Sequence, residues 1–240
     1  MWRVSRRLWI PIVAVAVLAL LGSAGAYAYF FSGLRTSPPS LALASPSASP
    51  ATGASANAGT WQIATGSVVG YRVKEQFVGQ TSSHEAVART GDVTGQVTIA
   101  QTGSSYRMTS AQITVQLSGL ASVDSVAGYN VTNRDRIVQR SLDVSSFPTA
   151  VFEAQSVTLP AGAETGQTVT VSVPGKLTIH GVAKDVTATL QLRVSGGTAQ
   201  IAGSIATNMT DYGINPPSVG FTKVQPAVTL EFQLSLTQAP

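Results

Sequence analysis

The sequence predicts an all-β domain of eight antiparallel strands behind an apolar N-terminal segment and a linker. From Trp61 onward, apolar and polar residues alternate in eight runs separated by Gly, Asn, Asp, Ser or Pro. The chain has 240 residues, 44% of them hydrophobic and 11% charged, which suits one domain of ordinary size plus accessory segments. A single stretch of this region, Asn133 to Pro148, instead spaces its apolar residues like a helix.

The N-terminal segment predicts a membrane anchor. Leu8 to Phe31 is 24 residues without a charge. As a helix it would be about 36 Å long, enough to cross a bilayer core of about 30 Å. Three arginines precede it, so the positive-inside rule places the N-terminus in the cytoplasm. We expect residues 1–32 to form a cytoplasmic stub and a single-pass signal anchor in the cell membrane. A cleaved signal peptide is the alternative, because Ala24-Gly25-Ala26 and Ala26-Tyr27-Ala28 fit the small-x-small cleavage pattern.

Residues 33–59 are rich in Ser, Ala and Pro and have no periodic apolar face. This composition predicts a disordered linker, with an end-to-end distance on the order of 30 Å if it is flexible. The folded domain is then expected at residues 60–240, outside the cytoplasm and free to stand off the membrane.

The alternating runs predict the strands of this domain. They are Ser67–Phe77, Ala86–Ala100 with a break near Gly91, Tyr106–Leu117, Ala150–Leu159, Thr168–His180, Asp185–Val194, Ala199–Met209 and Ala227–Leu236. One apolar and one polar face per strand favours antiparallel pairing. Eight such strands form a sandwich or a closed barrel. The length of the runs favours the barrel, whose closure also removes exposed edges.

The Asn133 to Pro148 insertion is the densest charged stretch of the chain. We expect Thr132 or Asn133 to cap a short helix, with Arg140 in its last turn. Pro148 would then begin the next extended segment. One interpretation is structural: the helix closes one end of the barrel, and Arg134 and Asp135 pair with neighbouring loops.

Composition excludes several function classes. Four N-terminal arginines carry the net charge of +4, and from Thr60 onward 11 basic residues balance 11 acidic ones. A neutral domain lacks the basic footprint of a nucleic-acid-binding protein. Cysteine is absent, which excludes disulfides and thiolate chemistry. His84 and His180 are the only histidines, and no catalytic motif accompanies them, so we expect neither an enzyme nor a metal or other cofactor.

Two stretches carry a family resemblance. The first stretch reads R-D-R-I-V at 134–138 and L-D-V-S-S-F-P-T-A-V-F-E at 142–153. It is similar to the R-D-x-x-L … F-D-V-x-x-Y/F-P-x-x-x-F pattern of the YceI-like family. G-K-L-T-I-H-G-V-A-K at 175–184 resembles its G-x-L-T-I-H-G-V-T-K segment. The resemblance covers roughly Thr60 to Leu236. One departure is Gly66, where the family pattern has His.

The resemblance implies a lipocalin-like, eight-stranded barrel that holds a polyisoprenoid or similar amphiphilic lipid in its interior. The apolar residues predicted to face this ligand are Tyr71, Val73, Val97, Val115, Leu117, Leu177, Leu190, Leu192 and Phe232. Arg134, with Arg89 or His180, is predicted to face the lipid head group at the barrel mouth. The alternative function is a cell-envelope interaction module with a filled, ligand-free barrel, in which the loop from Asn208 to Phe221 binds a protein partner.

Overall fold

The computed structural model describes residues 15, 17–25, 35–43, 58–77, 83–126, 130–195, 197–219 and 222–239. Residues 15 and 17–25 are helical. In the part of the chain that is described, no helix has both the length and the apolar composition required to cross a membrane. Most of the predicted anchor, Leu8 to Phe31, lies outside the described residues, so the anchor stays a prediction.

Beyond the helical residues 15 and 17–25, fifteen strands and one further α-helix are formed within the described residues. The strands are β1 Arg35–Thr36, β2 Gly59–Ile63, β3 Val68–Phe77, β4 Ser83–Thr90, β5 Val93–Thr102, β6 Ser105–Gln116, β7 Ala121–Ser122, β8 Ser125–Val126, β9 Thr149–Ala154, β10 Val157–Thr158, β11 Val169–Ile179, β12 Val182–Ser195, β13 Thr198–Asn208, β14 Ser218–Val219 and β15 Thr222–Gln238. The helix α1 spans Thr132–Ser141, and short 3-10 turns occupy Leu117–Gly119, Ala163–Thr165 and Met209–Tyr212.

Eight of the strands form a closed antiparallel ring, in the order β13, β12, β11, β9, β6, β5, β2 and β15. Pairing between β13 and β15, from Thr198 opposite Thr237 to Asn208 opposite Ala227, closes it. The strand β15 is long enough to pair with β3 between Thr222 and Gln233 and with β2 at its end. The prediction of an eight-stranded antiparallel barrel is confirmed.

The predicted strand positions are also confirmed, and β2 is the one strand of the ring that was not predicted. The break near Gly91 separates β4 from β5, as the sequence indicated. The strand β2 was not predicted, because its five residues are too few to show a clear alternation. The turn between β11 and β12 consists of His180 and Gly181, at φ of 51° and 72°. Positive φ at both central residues is what a tight two-residue hairpin requires, so His180 is a turn residue.

The helix α1 lies at one end of the barrel, which we call the α1 end. The prediction that Thr132 or Asn133 caps it is wrong: the cap position is Val131, and the Thr132 amide donates a hydrogen bond to Asn130 Oδ1 at 3.0 Å. The side chain that accepts a first-turn amide therefore belongs to Asn130, one residue before the cap position. Arg140 is in the last turn, as predicted. The turn between β5 and β6, Gly103-Ser104, marks the opposite end.

Residues 35–43, which we call the strap, lie against the outer barrel wall. The strand β1 pairs with β8, placing Arg35 opposite Val126. Further along, the Arg72 and Arg89 guanidinium groups each donate to a strap carbonyl, of Pro38 and Pro39, at 2.6 Å. This part of the chain thus differs from the unattached linker expected over residues 33–59. The sequence did not predict this attachment, because the arginines bind main-chain carbonyl groups of the strap, which every residue type has.

Candidate functional site

The barrel is hollow. Inward-facing side chains enclose a cavity of about 320 Å³ that extends along its axis. Its wall is almost entirely apolar, with contributions from all eight strands of the ring. A volume of this size is within the range of pockets that bind small organic ligands, about 300–1,000 Å³. The filled barrel of the alternative function is therefore not what the structure contains.

All nine apolar residues predicted to face a ligand line this cavity: Tyr71, Val73, Val97, Val115, Leu117, Leu177, Leu190, Leu192 and Phe232. Several inward-facing side chains, such as Val115, Leu190 and Phe232, remain only half-buried although they point into the barrel. Their residual exposure is to the cavity itself. Contact with a bound lipid stays a prediction for all nine.

The α1 end of the cavity is closed by two elements. Ile137, Val138 and Leu142 face it from the α1 segment, and Tyr212 and Ile214 face it from the loop after β13. Tyr212 is 1% exposed. Both closing elements are short and connected by loops, whereas the remaining wall is continuous sheet. These two elements are therefore the part of the cavity boundary at the α1 end that is not sheet.

A buried ion-pair cluster holds α1 in place. Both terminal nitrogens of Arg134 donate to Asp124, at 3.0 and 2.8 Å. Asp135 accepts hydrogen bonds from the amide and hydroxyl of Ser122. The predicted pairing of Arg134 and Asp135 with a neighbouring segment is confirmed. Arg134 is only 6% exposed, so its charge is neutralised inside the protein and is not displayed to solvent.

Two further carboxylate contacts complete this cluster. His84 Nε2 lies 2.7 Å from Asp124 Oδ2, and Glu75 Oε1 lies 3.4 Å from Arg134 Nε. Burial alone would raise the pKa of Asp124, but the hydrogen bond with His84 and the charge of Arg134 hold it below its ordinary value. Burial raises the pKa of Glu75, and Arg134 only partly opposes this.

Two polar atoms at the α1 end of the cavity form no hydrogen bond with any described residue. Arg134 Nε is buried and makes no hydrogen bond within the described residues. No described residue hydrogen-bonds to the Tyr71 hydroxyl either, and burial raises the pKa of this phenol, with Arg134 opposing the effect. A buried donor without a partner is costly, of the order of 1–3 kcal/mol. Both side chains line the cavity, so an oxygen atom of a ligand could satisfy them.

The other two residues predicted to face a head group lie elsewhere. Arg89 donates to Glu231 Oε1 at 2.8 Å and to the strap, and it does not line the cavity. His180 is in the β11–β12 turn, where its Nδ1 is 3.1 Å from the Tyr212 carbonyl oxygen and its ring packs edge-on against Phe147. Head-group contact by these two residues stays a prediction.

The two histidines do not come together. His84 belongs to the Asp124 cluster, whereas His180 contacts the loop after β13. No group of three or more His, Asp or Glu residues in the described ranges has the geometry of a metal site. The sequence reasoning missed Glu75 as a cavity residue. The signal was present, since Glu75 continues the inward alternation of Tyr71 and Val73 along β3.

The YceI-like domain profile matches residues 61–236. The chain belongs to the YceI-like family. The match begins within β2 and ends within β15, so it covers nearly the whole barrel and excludes the strap. Comparison with curated proteins gives no match.

The chain is similar to solved structures of low sequence identity, and the first of those below shares its fold. A polyisoprenoid binding domain from Saccharophagus degradans is 15% identical, with a TM-score of 0.53, and the match covers 76% of this YceI-like chain and 100% of that one. BcnA from Burkholderia cenocepacia is 18% identical over 70% of this chain and 95% of that one, with a TM-score of 0.47. The YCEI protein of Campylobacter jejuni is 14% identical over 64% and 85%, with a TM-score of 0.42.

Proposed function

We propose that this YceI-like protein binds a polyisoprenoid or a similar amphiphilic lipid in its barrel. The observation that carries the proposal is the cavity of about 320 Å³ with an almost wholly apolar wall. Burying apolar ligand surface contributes about 25 cal/mol per Å², so a branched hydrocarbon tail binds there without catalytic chemistry. Family membership and the fold shared with the Saccharophagus domain support the same proposal.

The polar end of the cavity favours an uncharged head group. Among the described residues that line the cavity, Arg134 carries the only guanidinium, and two carboxylates, Asp124 and Glu75, already face that group. A phosphate or diphosphate would bring further negative charge beside these carboxylates. A hydroxyl or carbonyl oxygen instead accepts a hydrogen bond from Arg134 Nε or from the Tyr71 hydroxyl at no such cost.

Replacing Tyr71 by Phe tests this assignment. The change removes one hydroxyl and keeps the ring, so a polyprenol should bind about 5- to 10-fold more weakly, the equivalent of one net hydrogen bond of about 1–1.4 kcal/mol. Squalene, an isoprenoid hydrocarbon with no head group, is the matched ligand and should bind both proteins equally. Polyprenyl phosphate should bind the unaltered protein more weakly than polyprenol does. Tighter binding of the phosphate contradicts the neutral head group, and failure of all three ligands contradicts the lipid-binding function.

Membrane attachment through the N-terminal segment is the second part of the proposal. It is supported by the uncharged stretch from Leu8 to Phe31 and by the helical state of residues 17–25, where Leu18, Leu20 and Leu21 are 64–69% exposed. Leucines so exposed need an apolar environment. In this proposal the barrel lies outside the cytoplasm. Alkaline carbonate washing should leave the protein in the membrane, and mass spectrometry should recover an N-terminal peptide that precedes Ala24. A soluble protein that begins after Ala26 or Ala28 would establish the cleaved signal peptide.

A further inference from the structure

The strap runs in one direction along the barrel wall. Its contacts follow successive rungs of the β3–β4 ladder: Ser37 with the Glu85 carbonyl, Pro38 with Arg72, and Pro39 with Arg89. The Leu41 amide then donates to Glu231, which pairs with Gly70 on the same rung as Arg89. The strap thus descends from the α1 end toward the middle of the barrel. Its continuation agrees, because β2 begins at Gly59, opposite Ile99 and near the Gly103-Ser104 end.

The strap is fixed at the α1 end by contacts that need no further partner. Beside β1, the strand β8 follows directly after Asp124, the carboxylate that holds Arg134 of α1. Below it, Glu231 is 3% exposed and accepts hydrogen bonds from both Arg72 and Arg89, at 2.7 and 2.8 Å. Arg72 is itself only 7% exposed, although it lies on the outer face of the barrel.

Only three residues, Ser32, Gly33 and Leu34, separate the uncharged stretch that ends at Phe31 from the first strap residue. From Phe31 to Arg35 the chain can reach at most about 14 Å. The strands of the barrel are much longer: the 11 residues of β13 span about 36 Å, or about 28 Å along the axis at a tilt near 40°. The two ends of the barrel therefore lie at different distances from an anchor at Leu8–Phe31.

We propose that the α1 end of the barrel is a membrane-facing surface, held against the lipid bilayer by the strap. The proposal rests on the membrane anchor of the proposed function. It assigns to the strap the role of orienting the barrel, so that the cavity end closed by α1 and by the loop after β13 is the end adjacent to the bilayer. A lipid then passes between bilayer and cavity without crossing an aqueous gap.

The side chains of the α1 end suit a bilayer surface. Arg136 and Arg140 are exposed on α1, and no described residue forms an ion pair with either one. Phe147 is 36% exposed beside them in the segment that follows α1. Asp143 and Asp211 are the nearby acidic residues, so the surface has mixed charge with two free arginines. Arginine with an exposed aromatic ring is the combination that interacts with lipid head groups at an interface.

The absence of cysteine from the chain allows a direct test. Asn133→Cys places one thiol on exposed α1, and Ser104→Cys places one at the exposed turn of the opposite end. Each full-length variant is labelled with a fluorophore and reconstituted in vesicles of phosphatidylcholine and phosphatidylglycerol that contain head-group spin-labelled lipid. We expect the label at position 133 to be quenched at least 3-fold more strongly than the label at position 104, because the two positions are about 28 Å apart along the axis.

A matched control addresses the strap directly. A flexible insertion of about 20 Gly and Ser residues between Leu34 and Arg35 leaves the barrel unchanged but adds about 25 Å of root-mean-square reach. The difference between the two labels should then fall. Equal quenching without the insertion, or stronger quenching at position 104, overturns the proposed orientation and leaves the anchor intact. Protein that fails to float with the vesicles refutes the anchor, and the orientation with it.

Discussion

Filling the cavity should abolish lipid binding without unfolding the protein. Ala188 lies on β12, is 2% exposed, and lines the cavity. Replacing it by Phe adds a phenyl ring, and since a cavity of about 150 Å³ holds benzene, the ring takes up about half of the available volume. The lost space corresponds to about one isoprene unit of five carbons. At about 0.8 kcal/mol per buried carbon this is about 4 kcal/mol, or about 1,000-fold in Kd.

The assay is displacement of a fluorescent polyprenol from the full-length protein in nanodiscs. Ala183→Phe is the matched control, because Ala183 lies on the same strand but is exposed. It should bind the polyprenol like the unaltered protein. The melting temperature of the Ala188→Phe variant should stay close to that of the parent, since the ring enters empty space. A folded Ala188→Phe protein with unchanged affinity would falsify the assignment of the cavity as the binding site.

Three further predictions concern the buried charges. Arg134→Met leaves Asp124 and Glu75 without their cation and should lower the free energy of unfolding by about 3–5 kcal/mol in urea titrations; a loss under about 1 kcal/mol contradicts the buried pairing. The raised pKa of Glu75 means that the folded state binds more protons than the unfolded state, so stability falls as pH rises above the ordinary value of 4.5. Glu75→Gln should remove this fall. The urea midpoint of the variant minus that of the parent should therefore rise between about pH 4 and about pH 8. A difference between the two midpoints that does not change with pH refutes the reasoning. Arg72→Met leaves Glu231 with one guanidinium and weakens the strap, at an expected cost of about 2 kcal/mol; unchanged stability shows that the strap contacts are dispensable.

The strands were predictable because the inward and outward faces of a sheet alternate with period 2. This rule placed Tyr71 and Val73 on one face of β3, and Leu190 and Leu192 on one face of β12. It could not show that the barrel is hollow. Hollowness depends on the summed volumes of side chains from eight strands, which no single run of residues contains.

The polar features were harder to predict for a different reason. Arg72 looked like an ordinary solvent-facing residue of β3, and its burial became visible only with the strap across it. Asp124 lies in a short loop with no periodicity, yet it organises His84 and Arg134. Such ion pairs join residues far apart in sequence, so spacing does not reveal them. The cap of α1 was misplaced because Asn130, Thr132 and Asn133 are all competent caps, and only the backbone geometry selects among them.

The most direct test of lipid binding is native mass spectrometry of the full-length protein. The protein is purified from membranes in detergent and released from the detergent micelle in the gas phase. The account predicts one tightly retained amphiphile per chain, with a mass that contains repeats of the five-carbon isoprene unit, and its loss in the Ala188→Phe variant. Protein that carries no lipid, and that neither binds nor is stabilised by added polyprenols, contradicts the central claim.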